Sequence, residues 1–186
     1  MRVTETEIPG LLIIEPRIFN DQRGCFFESY RKELYRNHGI KASFVQDNES
    51  KSVKGVVRGL HYQLEPYAQS KLVRVVSGSV YDVAVDLRKG SPSFGRWFGI
   101  ILDDVEKKQI FIPKGFAHGF SVLSETAVFS YKCDNVYNNQ SERAVNINDP
   151  ELAIDWMLGE VKPLISEKDL KAPLMVNAEI NFFYEL

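Results

Sequence analysis

Short apolar runs of β type recur along most of the chain, and they constrain its fold more than any other feature of the sequence. Many of these runs are rich in branched and aromatic side chains and predict strands. They include residues 26–30, 43–48, 72–76, 109–112 and 127–133. Turn residues separate the runs at intervals of about 8 to 12 residues, which is typical of a sandwich or barrel. In the first half, residues 31–37 alone predict a helix, with Gly39 following as its C-cap. We therefore expect an all-β fold of antiparallel strands with a few short peripheral helices.

The strand predicted over residues 79–87 has an alternating pattern. Val83 and Val85 share one face of this strand, while Asp82 lies on the opposite face. The Ser-Gly pair at 77–78 precedes it and predicts a tight hairpin to the preceding strand.

The whole chain, residues 1–186, is expected to form one domain, because its length suits a single core. From about residue 149 onward, proline-containing loops and short helical pieces replace the strands and predict a C-terminal extension. Residues 181–186 could add a terminal strand.

Composition excludes several classes of partner and location. The net charge of −2 and the pI of about 6.0 argue against a nucleic-acid partner. No apolar run approaches the roughly 18 residues that a membrane span requires, and the first residues lack the apolar core of a signal peptide. Cys25 and Cys133 are far apart and show no CxxC spacing, which favours reduced thiols. We expect a cytoplasmic protein without a membrane partner.

Two of the three histidines stand in informative positions. His61 lies in a β-type run, and His118 ends a Pro-x-Gly-x-x-His turn at residues 113–118 that resembles the second motif of the cupin superfamily. The usual first cupin motif offers two histidines and a glutamate, whereas here only His61 and Glu65 are present. Because zinc or iron needs three or four converging ligands, we predict no metal and no cofactor. A histidine free of metal can act as a general base. The plainer alternatives are a core histidine at 61 and a turn histidine at 118.

Further motifs, taken in order, resemble the dTDP-4-dehydrorhamnose 3,5-epimerase family from residue 8 to residue 173. They are Arg-Gly-x-Phe-x-Glu at 23–28, Gln-Asp-Asn at 46–48, Arg-Gly-Leu-His-Tyr-Gln at 58–63, Lys-Leu-Val-Arg at 71–74, Asp-Val-Ala-Val-Asp at 82–86, Tyr-Lys-Cys at 131–133, Asn-Asp-Pro at 148–150 and Ser-Glu-Lys-Asp at 166–169. One departure is Ile147, where the family usually has an aromatic residue. The resemblance implies a cupin-type jelly-roll barrel or sandwich.

The resemblance also implies an isomerase that inverts the two carbons flanking a keto group. Such chemistry needs a base, an acid on the opposite face and a cation at the oxygen. His61 matches the base and Asp169 its orienting partner, although Asp169 also fits a helix-capping box. Tyr131 matches the proton donor, or else a core tyrosine. Lys71 matches the enolate-stabilising cation and Asp82 could orient it, unless the two form a cross-strand ion pair without consequence.

The remaining matched positions hold nucleotide, diphosphate or sugar in the family. They are Arg23, Glu28, Gln46, Asp47, Asn48, Arg58, His118, Glu142 and Lys168. Phe26 or Tyr137 could stack on thymine. In the family, Arg23 and Glu28 reach the neighbouring subunit through strand exchange, which implies a homodimer.

The expected activity is epimerisation of dTDP-4-dehydro-6-deoxy-D-glucose at C3 and C5, in dTDP-L-rhamnose biosynthesis. One alternative is an epimerase acting on one carbon of a related nucleotide-linked keto-deoxysugar. Two others are a non-catalytic sugar-binding cupin and a metal-dependent cupin oxygenase.

The spacing of Arg58 and His61 makes one prediction about backbone geometry. The two residues are three positions apart, so on a regular strand their side chains would point to opposite faces. If both reach one ligand, the strand needs a bulge or bend near Gly59.

Overall fold

The chain folds into two antiparallel sheets that face each other, as seen in a computed structural model that describes residues 1–184. In chain order the strands are β1 (Arg2–Glu5), β2 (Leu12–Glu15), β3 (Ile18–Asp21), β4 (Gly24–Phe27), β5 (Gln46–Val53), β6 (Val56–Gln63), β7 (Lys71–Ser77), β8 (Ser79–Asp86), β9 (Trp97–Asp103), β10 (Gln109–Ile112), β11 (Phe116–Val122), β12 (Thr126–Cys133), β13 (Glu142–Ala144) and β14 (Leu164–Ile165). The helices are α1 (Lys32–Asn37) and α2 (Glu167–Leu170), and Met175–Asn177 form a 3-10 turn.

The first sheet has the strand order β1-β2-β10-β7-β12-β5, and the second has the order β13-β6-β11-β8-β9. The short strand β14 adds to β6 in parallel, and β3 pairs with β4 as a separate hairpin. All other strand pairs are antiparallel. The expected all-β, cupin-type jelly-roll fold with short helices is therefore confirmed.

The core lies between the two sheets, because both contribute side chains to one buried cluster. Val73, Ile110 and Phe129 come from the first sheet, and Ala84 and Phe120 come from the second. Burial of such apolar side chains is the main favourable term in folding.

The outer faces of the sheets are also covered. Tyr35 and Ile40, in and after α1, pack on Leu12 and Phe111 of the first sheet. On the second sheet, Val83 and Val85 pack in a separate cluster with residues of the C-terminal extension. Ala84 and Asp82 therefore occupy the inner face, as the alternation of residues 79–87 predicts.

The helix predicted over residues 31–37 is confirmed as α1. It ends at Asn37, and its C-cap is His38, not Gly39 as predicted; Gly39 follows with φ +89°. None of the helices within residues 1–184 is long and apolar enough to cross a membrane.

The hairpin predicted at Ser77–Gly78 is wrong. β7 belongs to the first sheet and β8 to the second, so the chain crosses between sheets at Gly78. Gly78 has φ +82°, and a Cβ there would lie 2.2 Å from the carbonyl oxygen of Thr126. A Ser-Gly turn suits either connection, and burial of the inner faces of both strands selects the crossover.

Several strand boundaries differ from the prediction. The strand expected at 26–30 ends at Phe27, because β4 pairs with β3 as a short hairpin. The strand expected at 43–48 begins only at Gln46 and continues to Val53, where it pairs with β12. Of the terminal strand predicted at 181–186, residues 185 and 186 lie outside the described part, and Phe183 makes a single parallel bridge to Lys89.

The bulge predicted near Gly59 is confirmed. On β11, His118 pairs with His61 of β6 and Phe120 pairs with Arg58. The two β6 residues are three positions apart, whereas their β11 partners are two positions apart, so β6 contains one extra residue. Gly59 has φ +141°, and an added Cβ would lie 2.6 Å from the Cα of Gly119. The extra residue lets Arg58 and His61 line one cavity.

Replacement of Gly59 by alanine is expected to lower the free energy of unfolding by about 3 kcal/mol or more, because the new methyl group meets the backbone of β11. Urea denaturation measures the change. Gly90→Ala is the matched control, since Gly90 has φ +83° and nothing lies within 4 Å of its added Cβ. It should cost only about 1 kcal/mol. Equal losses in the two variants would contradict the close approach.

Candidate active site

A cavity of about 290 Å³ opens between the two sheets. Polar and charged side chains line it among aromatic rings. The lining residues are Asn48, Glu49 and Ser50 of β5, Arg58 and His61 of β6, Lys71 of β7, His118, Gly119 and Phe120 of β11, and Phe129 and Tyr131 of β12. Strands from both sheets thus hold the site on rigid elements.

His61 and Asp169, the 61–169 dyad, meet at one side of this cavity. The Nε2 of His61 lies 2.7 Å from Oδ1 of Asp169, whose side chain is 5% exposed against 33% for His61. Burial raises the pKa of Asp169, but hydrogen bonds from His61 and Ser166 outweigh it, and the pKa lies below its ordinary value. The carboxylate can therefore fix the imidazole tautomer and leave Nδ1 as the free nitrogen.

The capping role considered for Asp169 is also present. Ser166 is the N-cap of α2, and its Oγ accepts a hydrogen bond from the backbone N–H of Asp169 at 3.1 Å. The side chain of Asp169 points instead to His61. The strand β14 pairs with β6 just before α2, with Ile165 opposite Val57, and so brings the helix next to β6.

A second histidine and aspartate pair lies deeper between the sheets. The Nε2 of His118 is 2.9 Å from Oδ2 of Asp82, and both side chains are buried. The other oxygen, Oδ1, has no hydrogen-bond partner within residues 1–184. Burial lowers the pKa of His118, although Asp82 acts in the opposite sense. His118 therefore faces the cavity as a neutral imidazole.

The suggestion that Asp82 orients Lys71 is not met in the structure, because within residues 1–184 neither carboxylate oxygen of Asp82 accepts a hydrogen bond from Lys71. Asp82 bonds to His118 instead, and a cross-strand ion pair between Lys71 and Asp82 is wrong because β7 and β8 lie in different sheets. The alternation of β8 turns Asp82 inward, where the register of β11 sets His118 opposite Ala84, two residues along.

Lys71 and Tyr131 stand together on the first sheet. The Nζ of Lys71 lies 5.7 Å from the centroid of the Tyr131 ring. Within the described residues Lys71 makes no ion pair, and burial lowers its pKa, with Asp82 and Glu142 only partly offsetting that effect. Burial also raises the pKa of Tyr131. Tyr131 therefore remains a phenol that can donate a proton.

Cys133 lies directly across from Lys71 on β12 and is fully buried. Burial raises the pKa of its thiol to about 11. The group beside Lys71 is thus neutral and does not compensate a positive charge on the lysine.

Glu142 is the centre of a polar network at the rim. Its Oε2 accepts hydrogen bonds from the hydroxyl of Tyr137, at 2.9 Å, and from Nζ of Lys168. The backbone N–H of Tyr137 donates to Oε1 of Gln46 at 2.9 Å. Three of the predicted ligand-binding residues therefore meet directly, and Gln46 joins them through the loop.

The three residues of the 46–48 motif point in different directions. Asn48 lines the cavity, and Gln46 donates to its Oδ1 at 3.0 Å. Asp47 faces outward and pairs with Lys132 at 2.7 Å. Alternation along β5 explains the split.

Arg23, Phe26 and Glu28 are not among the residues that line the cavity of their own chain. Arg23 pairs with Asp21 at 2.6 Å, and Glu28 pairs with Arg31 at 3.2 Å. Phe26 lies on β4 and is 71% exposed. The β3–β4 hairpin that carries this group pairs with no other strand of residues 1–184.

Phe120 and Phe129 were missed by the sequence interpretation although both line the cavity. Their rings stack with centroids 4.0 Å apart. Each lies two residues from a recognised site residue, His118 or Tyr131, so strand alternation could have found them. They give the cavity an apolar wall.

The arrangement offers a base, a proton donor and a half-buried cation around one cavity. His61 belongs to the second sheet, and Tyr131 and Lys71 belong to the first. Acid–base chemistry at a carbon next to a carbonyl requires such a set. Within residues 1–184, no three His, Cys, Asp or Glu side chains converge in a group that could hold a metal ion.

A protein-family model and known relatives of this chain carry the same description. Residues 5–177 match the family model described as dTDP-4-dehydrorhamnose 3,5-epimerase. The enzyme of that name from Shigella flexneri is 52% identical over 180 residues, which cover 96% of this chain and 98% of the relative.

Solved structures of nucleotide-sugar epimerases also resemble this chain. A dTDP-6-deoxy-D-glucose-3,5-epimerase from Legionella pneumophila Philadelphia 1, in complex with dTDP-4-keto-L-rhamnose, has a TM-score of 0.95 and 49% identity, and the match covers 100% of this chain and 99% of that one. A 3'-monoepimerase from Streptomyces bikiniensis, in complex with dTDP-quinovose, has a TM-score of 0.86 and 34% identity, covering 92% and 86% of the two chains.

Replacement of Asp169 by asparagine tests the acidity of this carboxylate. The native pKa lies below the ordinary value of about 3.9, so its contribution to stability is complete above that pH and is lost as the pH falls through the native pKa. Urea denaturation should show that Asp169→Asn costs about 1 to 3 kcal/mol at pH 7 and progressively less below about pH 4.

Glu167→Gln serves as the control on the same helix, because the Glu167 side chain is 89% exposed. Its stability difference from the unmodified chain should stay near zero at every pH. A pH-independent loss for Asp169→Asn would contradict the lowered pKa.

Proposed function

The chain belongs to the dTDP-4-dehydrorhamnose 3,5-epimerase family, and we propose that it inverts C3 and C5 of dTDP-4-dehydro-6-deoxy-D-glucose to give dTDP-4-dehydro-L-rhamnose. The observation that carries this proposal is the 2.7 Å contact of the 61–169 dyad across one cavity from Tyr131 and Lys71. Similarity to epimerases over almost the whole chain supports the assignment of the sugar.

His61 acts as the base in this proposal. A proton on a carbon next to the C4 keto group is acidic, because the carbanion delocalises onto the oxygen as an enolate. The Nδ1 of His61 accepts that proton while Asp169 stabilises the resulting imidazolium through Nε2. The 33% exposure of the His61 side chain allows the proton to pass to solvent between the two inversions.

Tyr131 and Lys71 complete the reaction. Tyr131, on the opposite sheet, returns a proton to the other face of the carbon, and its raised pKa suits a donor. Lys71 lies beside Tyr131 and stabilises the enolate oxygen, where a preorganised cation lowers the barrier more than it aids binding of the ground state.

The nucleotide end lies at the rim in this proposal. Arg58 and Lys168 supply cations for the diphosphate, and the exposed ring of Tyr137 can stack on thymine. Glu142, Gln46 and Asn48 supply hydrogen-bonding groups for the sugar and the base.

A homodimer completes the site. The unpaired β3–β4 hairpin exposes Phe19 and Phe26 beside Arg23, and an exposed apolar surface of this kind favours a protein contact. We propose that Arg23, Phe26 and Glu28 reach the cavity of a second copy by strand exchange, where Arg23 binds the diphosphate.

The alternative of inversion at one carbon remains a distinct candidate, because a 3'-monoepimerase is similar over most of the chain. The residues that move protons would be the same in both cases. Labelling of the product distinguishes them.

Incubation with dTDP-4-dehydro-6-deoxy-D-glucose in heavy water should place deuterium at both C3 and C5, as measured by mass spectrometry and NMR. Tyr131→Phe should keep exchange at C3 while losing completed epimerisation by about a hundredfold or more, because abstraction survives without the opposite donor. His61→Asn should lose both exchange and epimerisation while still binding dTDP. Label at one carbon would assign a monoepimerase, and turnover by His61→Asn would refute the role of the base.

Mixed dimers test the shared site. Arg23→Ala and His61→Asn, each nearly inactive alone, should recover about a quarter of the unmodified activity after co-refolding, because half of the dimers carry one complete site. His61→Asn mixed with Asp169→Asn is the control, since both defects fall in the chain that owns the site and no complete site can form. Recovery no greater than the sum of the parent activities would show that Arg23 serves its own chain.

A further inference from the structure

Asn146 forms hydrogen bonds with the end of α2 and the segment that follows it. Its side-chain Nδ2 donates to the carbonyl oxygens of Leu170 and Ala172, at 3.1 and 3.0 Å. Its backbone N–H donates to the carbonyl oxygen of Pro173 at 2.8 Å. Three hydrogen bonds from one residue therefore hold the segment that follows Asp169.

The same residue is held in register with β6. Val145 exchanges two backbone hydrogen bonds with Leu60, at 3.2 and 2.9 Å, and Ala144 is the direct strand partner of His61. Asn146 is thus the next residue after a segment that is aligned on His61. It connects the strand of the base to the helix of its carboxylate partner.

The helix α2 needs such an anchor. It has four residues, and a helix this short is not stable alone. The carbonyl groups of Glu167, Lys168 and Asp169 accept from the backbone N–H groups that follow the helix, whereas the carbonyl group of Leu170 accepts from Asn146, and the Leu170 side chain is 48% exposed. On its N-terminal side, β14 binds to β6, and on its C-terminal side the amide of Asn146 takes the equivalent role.

We propose that Asn146 is a positioning residue that sets the Asp169 carboxylate at hydrogen-bond distance from Nε2 of His61. The proposal rests on the proposed function, in which that contact fixes the tautomer of the base. Asn146 does not line the cavity, so it acts through the 61–169 dyad and not on the ligand.

The decisive variant is Asn146→Asp. It keeps the size of the side chain and the oxygen that accepts from the backbone N–H of Asn148, but it replaces the donor with an oxygen facing two carbonyls. We expect kcat to fall about tenfold, as for a misplaced catalytic group, while KM and the dissociation constant of dTDP stay within about twofold. Asn146→Ala should fall similarly.

Asn148→Ala is the matched control. Asn148 lies two residues away, is exposed, and its side chain makes no hydrogen bond within residues 1–184. Its kcat and KM should equal those of the unmodified enzyme. The thermal midpoint of every variant is measured beside its rates, and Asn146→Asp decides the matter if Asn146→Ala does not fold.

A double-mutant cycle separates positioning from a general structural role. In the Asp169→Asn background, Asn146→Asp should cost less than about twofold in kcat, because the contact it supports is already altered. An undiminished tenfold loss in that background, or a rise in KM equal to the loss in kcat, would overturn the proposal. If the unmodified chain failed to epimerise, the proposed function would fall; if it epimerised and Asn146→Asp matched it, only this inference would fall.

Discussion

The structure depends on packing two apolar sheets together while keeping ionisable side chains between them. A buried charge without a partner costs several kcal/mol, so such groups survive only in pairs or where a ligand can meet them. Asp82 is paired with His118, and Asp169 is paired with His61. Lys71 has no ion-pair partner within the described residues, because its strand neighbour Cys133 is a neutral thiol. A negative oxygen in the cavity would supply the partner that Lys71 lacks.

The bulge on β6 makes this arrangement possible. One extra residue opposite β11 turns Arg58 and His61 towards the same space, and the absence of side chains at Gly59 and Gly119 lets the two backbones approach. The same strand binds β13 and β14 along its other edge. A single irregular strand therefore connects the cavity to the C-terminal helix, and its register positions both His61 and Arg58.

Much of the fold and the site could be predicted from the sequence. Features set by neighbouring residues were predicted correctly, whereas features set by contacts between distant strands were not. Alternation along β8 correctly separated Asp82 from Val83 and Val85, since period-two patterns are local. The hairpin at Ser77–Gly78 failed because the same two residues serve a turn within a sheet or a crossover between sheets. Resemblance located Lys71 and Asp82 but not their partners, which depend on a register between distant strands. No sequence pattern indicated a role for Asn146, because the groups that its side chain binds are backbone carbonyl groups more than twenty residues away.

The 61–169 dyad joins residues 108 positions apart, and this separation bears on how the protein acquires activity during synthesis. Strands β1 to β13 end at Ala144, so the inner core between the sheets can close before the last forty or so residues are made. The Asp169 carboxylate that contacts His61 is made only with α2. A nascent or C-terminally shortened chain would thus resemble the finished protein in its core yet lack a properly oriented histidine. The contact between His61 and Asp169 therefore forms later than the inner core between the sheets, whose residues all precede Ala144.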